Sequence, residues 1–146
     1  MKKFELTSEF VTFLGKTLFR IKALVSFGDV AEGELGGFIE RENNLDQSGD
    51  AWVYGDAQVF GDARVYGDAR VQNCRDYSAT SCFGSENRTT TFFRTKDGGI
   101  SVRCGCFYGT LREFREKVKE RHGDSRLAKE YLMLADLMEF RLSKDE

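Results

Sequence analysis

The sequence predicts a mostly β chain with an α+β C-terminal part. Its first half reads as a short left-handed parallel β-helix of about three coils, followed by a β-hairpin and two helices. Three observations carry this expectation. The stretch "GDAWVYGDAQVFGDARVYGDARV" (Gly49–Val71) repeats one hexad four times. Strand and turn residues then alternate in "TTTFFRTKDGGISVRCGCF". Finally, Thr110 followed by Glu113 announces a helix start. The expected organisation is a hexad module with an N-terminal cap over residues 1–73, a connector over 74–88, and a hairpin with two helices over 89–146.

Within the hexads, Val53, Val59, Val65 and Val71 hold one position, and Ala51, Ala57, Ala63 and Ala69 hold another two residues earlier. In a β-helix the valine would point inward and the alanine would fit where a larger side chain crowds the axis. Gly-Asp suits the corners, since glycine accepts positive φ and aspartate bonds its own turn. A meander of hairpins is the competing arrangement, but each unit leaves only about four residues per strand, short for stable pairing. Three hexads per coil would stack residues eighteen apart, Trp52 with Arg70 and Val53 with Val71. It would also spread Tyr54, Phe60 and Tyr66 over three faces, which argues against a stacking platform for nucleic acid. Four hexads are too few to stand alone. Ile39 and Leu45 extend the spacing of six backward from Ala51, "TLFRIKALVSFGDV" (Thr17–Val30) reads as a strand and Gly-Asp turn, and "FELTSEFVTFLG" caps the first coil.

Beyond Val71 the repeat stops. Thr89–Thr95 and Ile100–Phe107 flank a "KDGG" turn and read as a hairpin. A helix follows from about Leu111 to Arg121, with Leu111, Phe114 and Val118 inward and Gly123 as its left-handed cap. A second runs from about Ser125 to Leu142, with Leu127, Tyr131, Leu134, Ala135 and Met138 inward. These helices are expected to cover the hairpin or an open end of the hexad module.

Bulk composition narrows the function classes. Residues 1–73 hold 8 basic and 12 acidic side chains, and residues 74–146 hold 14 and 12. Neither half has the basic excess of a nonspecific nucleic-acid binder, and no sequence-specific nucleic acid is expected. No apolar run approaches the roughly 20 residues of a bilayer span. The start "MKKFELTSEF" lacks the apolar stretch of a secretory signal. A cytoplasmic protein with reduced cysteines is therefore expected.

"LFRIKALVSFGDVAEGELGGFIERENNLDQSGDAWVYGDAQV" resembles a family of small tailed-phage and mobile-element proteins. The likeness rests on an R-I-x-A-L strand, an F-G-D-V turn and an L-G-G-[FW]-I-E segment before the hexads. It continues through "GSENRTTTFFRTKDGGISVRCGCFYGTLREF" and "HGDSRLAKEYL". The resemblance implies the hexad architecture and a phage setting inside a host cell, and no particular activity.

Candidate chemistry is sparse. Hexapeptide acyltransferases use a histidine base at a subunit interface, but the one histidine, His122, falls at a helix end, where it complements the dipole. Cys74 and Cys82 are eight apart, and Cys104 and Cys106 alternate on a strand, which reads as buried thiols rather than zinc ligands. Asp50, Asp56, Asp62 and Asp68 read as corner turns rather than a calcium cage. No metal and no cofactor is expected. The polar cluster that stands out is Arg88, Thr89, Thr91, Arg94, Lys96 and Arg103, with guanidinium forks and hydroxyls suited to phosphate or carboxylate; its bland counterpart is a solvated hairpin face.

The leading expectation is a non-enzymatic accessory binding protein of phage type, a host-defence antagonist that sequesters a nucleotide signal or blocks a host protein. Its partners would be a host protein or a phosphate-bearing small molecule, and the scaffold is expected to form a homo-oligomer, trimer or dimer. A structural, trimer-forming adaptor is the alternative. An acyltransferase-like enzyme is a third reading, disfavoured because the coils lack a histidine.

Overall fold

The computed structural model describes residues 2–73, 75–83, 88–104 and 107–143, apart from the side chains at 81–83 and 88. Phe4–Phe13 (β1) and Lys16–Ala23 (β2) form an antiparallel hairpin, and Leu35–Ile39 (β3) pairs antiparallel with β2. Three two-residue strands follow in the hexads: Trp52–Val53 (β4), Gln58–Val59 (β5) and Arg70–Val71 (β6). Tyr77–Phe83 (β7), Arg88–Arg94 (β8), Ile100–Cys104 (β9) and Phe107–Thr110 (β10) make a second sheet in the order β10-β9-β8-β7. Every pairing within it is antiparallel. Leu111–His122 (α1) and Arg126–Leu142 (α2) complete the chain.

The expected left-handed β-helix is therefore corrected to a mixed α+β fold whose long strands all pair antiparallel. Among the described residues, parallel pairing is confined to Phe38↔Gln58 and Ile39↔Val59, to Trp52↔Arg70 and Val53↔Val71, and to one bridge, Leu45↔Val65. Two physical causes stand out. Each hexad spends most of its residues in a turn, leaving at most two in strand geometry. Its register also fails to propagate: the offset is 18 at Trp52/Arg70 but 20 at Phe38/Gln58 and Leu45/Val65. Leu45 thus stands opposite a valine position, not in line with Ala51. The supposed cap "FELTSEFVTFLG" is the edge strand and tip of the β1–β2 hairpin.

The hexads still build a core. All four valines and all four alanines are buried, joined by Phe4, Ile21, Trp52 and Phe93. At Gly36 the backbone passes so close to the hexads that a Cβ would sit 2.6 Å from the Val53 carbonyl oxygen and 2.7 Å from the Trp52 ring. Arg20 ties this sheet to the repeat. Its Nη1 donates to the Gly36 carbonyl at 2.6 Å and its Nη2 to Asp56 at 3.0 Å, while Nε donates to Glu9 at 2.9 Å. Lys3 is buried beneath the hexads, its ammonium donating to the carbonyls of Ser48, Gly49 and Ala51.

A second core lies on the far face of the second sheet. Phe92 and Val102 meet Leu111, Phe114, Val118, Tyr131, Leu134 and Met138 from the helices. Successive strand residues face opposite ways, so β8 serves both cores, Phe92 toward the helices and Phe93 toward the hexads. Both helices begin as their caps dictate: Thr110 and Glu113 form a reciprocal capping box, and the Ser125 hydroxyl accepts from the Ala128 amide. Residues 77–83, read from sequence as connector, are strand β7.

Candidate functional site

The hexad segment and the second sheet meet along one seam. The Arg64 amide donates to the Thr91 hydroxyl at 3.0 Å, the Lys96 amide donates to the Asp68 carbonyl at 3.0 Å, and Ala69 bridges Thr95. Aromatic rings fill the seam in series: Phe93 stacks on Tyr108 at 6.3 Å, and Tyr108 meets Tyr66 at 5.5 Å. Room for Tyr108 depends on Gly67, where a Cβ would fall 1.7 Å from its hydroxyl oxygen. Burial first, then the negative charge of Asp68, hold the Tyr108 phenol above its ordinary value, so it is a neutral hydroxyl at pH 7.

Of the six residues of the expected hairpin cluster, those whose side chains are described do not converge. The Arg88 side chain lies outside the described residues. Thr89 is half-buried on β8, and Thr91 is buried at the seam with its hydroxyl committed to Arg64. Arg94 turns to the opposite face. Its Nη1 lies 3.2 Å from the Asp76 carboxylate, and its Nε and Nη2 donate to the carbonyls of Leu142 and Ser143 at the end of α2. That is a clasp between strand, turn and helix, with its donors occupied. Lys96 stands exposed past the end of β8, across from Asp68.

Arg103 is different. It pairs across the ladder with Thr91, and its guanidinium lies over the Tyr66 ring at 4.5 Å from the centroid. Its Nε is buried and has no hydrogen-bond partner. Three other cation–ring pairs offer a comparison among the described residues. Arg20 over Phe38 is neutralised by Glu9 and Asp56. Arg70 over Tyr54 pairs with Asp29, which also accepts from the Tyr54 hydroxyl at 2.8 Å. Lys3 over Phe27 donates to three carbonyls. Only Arg103, among these four, has a buried side-chain donor with no partner. A buried polar group without a partner costs free energy unless something occupies it. A guanidinium backed by a ring presents its fork edge-on, which suits a phosphate or carboxylate.

Sequence reasoning named Arg103 and Thr91 but missed Tyr66 and Arg64. Nothing in the hexad period says which of Tyr54, Phe60 and Tyr66 meets the second sheet. The three do part company: Tyr54 meets Asp29 and Arg70, Phe60 meets Phe13, and Tyr66 meets Tyr108 and Arg103.

His122 stacks on Tyr131 at 5.8 Å at the end of α1. Cys104 is a free thiol whose sulfur accepts from Thr90 at 3.2 Å. Cys74, Cys106 and the Cys82 side chain lie outside the described residues. Among the described residues no group of three His, Cys, Asp or Glu side chains could hold a metal ion. Nor is any described helix long and apolar enough to cross a membrane. Comparison with protein-family models and with curated proteins returns no match for this chain.

Proposed function

We propose that this chain is a non-enzymatic binding protein that holds an anionic, phosphate-bearing ligand at Arg103. The observation that carries this reading is the half-buried guanidinium on Tyr66 with its Nε donor unpartnered. The Nε is covered where it stands, so an anion would have to draw the half-buried guanidinium outward to accept from Nε and an adjacent Nη; the exposed Arg64 side chain lies on the segment whose amide meets Thr91. The exposed Tyr108 ring, with the half-buried Tyr66 beside it, offers ring surface to the body of a nucleotide, while Phe93 backs Tyr108 from the core. The resemblance to tailed-phage proteins gives this reading a setting: a cytoplasmic accessory factor that withholds a nucleotide signal from host defence.

The test is calorimetric titration of the protein with a panel of mono-, di- and cyclic nucleotides, repeated on the Arg103→Ala variant. The expected result is saturable binding of at least one nucleotide, weakened about tenfold or more by the substitution, as for loss of a charged hydrogen-bond pair. Equal binding by both proteins removes the site assignment. No binding by either removes the nucleotide class.

A further inference from the structure

The second sheet ends on β7, whose outer edge pairs with no strand among the described residues. A groove of about 770 Å³ lies against it, between the tip of the β1–β2 hairpin and α2. One wall is Phe13 and Phe60, with rings 5.4 Å apart; the other is Leu137 and Phe140, which are 56% and 82% exposed.

The floor shows how the groove is oriented. Ser78 faces the helices, where its hydroxyl accepts from Arg141 Nε at 2.8 Å. Ala79 pairs with Thr91 and so faces the hexads. Successive strand residues point to opposite faces. A groove lined by both therefore opens onto the strand's outer edge, the side on which no described strand pairs.

We propose that β7 is a docking edge that receives an extended segment of a partner protein as a fifth strand. Main-chain pairing with β7 supplies the attachment, and alternate side chains of the guest enter the two apolar walls. A helix laid in the same groove would leave the β7 edge unpaired. The charge pattern names the guest more closely: Arg75 and Arg141 line the groove and, among the described residues, no carboxylate does. The segment that fits is extended, apolar at alternate positions and acidic at one or more of the others. A second copy does not meet this description. Its β7, "YSATSCF", carries no acidic residue and would bring two pairs of arginines together.

Selection of short random peptides displayed on phage against the whole protein tests this. Enriched peptides are expected to alternate apolar residues and to carry Asp or Glu. Bound as synthetic peptides, they should protect amides along β7 from hydrogen exchange and lose about tenfold or more in affinity on Arg141→Glu. Arg141 is exposed, so this variant should stay folded, with only a small drop in melting temperature from the lost Ser78 hydrogen bond and the reversed charge at the end of α2; Phe140→Ala provides a second, uncharged probe of the same wall. The proposal is overturned if no peptide is enriched. It is equally overturned if binding ignores both substitutions, if the peptides bind as helices without protecting β7, or if β7 is protected by self-association in the absence of peptide.

Discussion

Arg94 and Asp76 form a strut between the two halves of the molecule. The Asp76 carboxylate, buried in the turn that follows the hexads, accepts from the Gln72 amide at 2.7 Å and lies 3.2 Å from Arg94 Nη1. The same guanidinium reaches the last carbonyls of α2. One side chain therefore joins the end of the repeat, the middle of the second sheet and the end of the last helix.

Arg94→Ala should destabilise the fold by about 3 kcal/mol, because it strands a buried carboxylate and uncaps a helix end. Urea unfolding measures this. The double variant Arg94→Ala/Asp76→Asn should recover part of the loss, since the residual group is then uncharged. Nucleotide binding by the folded Arg94→Ala protein should match wild type, in contrast to Arg103→Ala.

Arg103→Ala, by the same urea measurement, should leave stability within about 1 kcal/mol of wild type. It sacrifices one cation–ring contact but also removes a buried donor that nothing satisfies. A loss of several kcal/mol would mean that Arg103 is a structural clasp like Arg94.

Gly67→Ala and Gly61→Ala separate backbone strain from contact. Both glycines have positive φ, near 64° and 69°, so alanine at either should cost about 1–2 kcal/mol for the left-handed conformation. A Cβ on Gly61 meets nothing within 4 Å, whereas one on Gly67 strikes the Tyr108 hydroxyl. Gly67→Ala should therefore be the more destabilising of the two in thermal unfolding. Its excess should shrink in a Tyr108→Ala background.

Lys3 gives stability a pH dependence at alkaline pH. Burial pushes its ammonium down to about 8, against the opposing pull of Asp46 and Asp50. The unfolded chain holds this proton to near its ordinary value of 10.5. Between about 8 and 10.5 the unfolded state therefore binds more protons, and the Lys3 contribution makes stability rise with pH across that window. Below it the contribution is flat. Unfolding of wild type and Lys3→Met at a series of pH values checks this: the wild-type curve should climb relative to the variant between those limits.

Much of the interior could be read from the sequence because it depends on local rules. The inward valines and alanines, the capping box of Thr110 with Glu113 and the apolar stripe of α1 each follow from periodicity and from chemistry a few residues apart. The pairing of strands does not. The register between Leu45 and Val65 depends on the two extra residues by which Leu45–Trp52 exceeds Val65–Arg70, a difference that stacking by sixes conceals. β1 reads as a cap in the sequence, but its partner is its neighbour β2, not a coil. For the site, residue type pointed to Arg94 and Arg103 alike. What separates them is which side of the sheet each faces and what waits there: helix carbonyls for one, a tyrosine ring for the other.

The central claim, that the unpartnered Nε of Arg103 is an anion donor, is tested most directly by its own side-chain nitrogen resonance. In a two-dimensional ¹⁵N spectrum of the arginine Nε–Hε groups, nucleotide should be titrated into wild-type protein, with Arg103→Ala used to assign the signal. The Arg103 resonance should move as its Nε gains an acceptor, while that of Arg94, already bonded to Leu142, stays fixed. An Arg103 resonance unmoved by a nucleotide that does bind would contradict it.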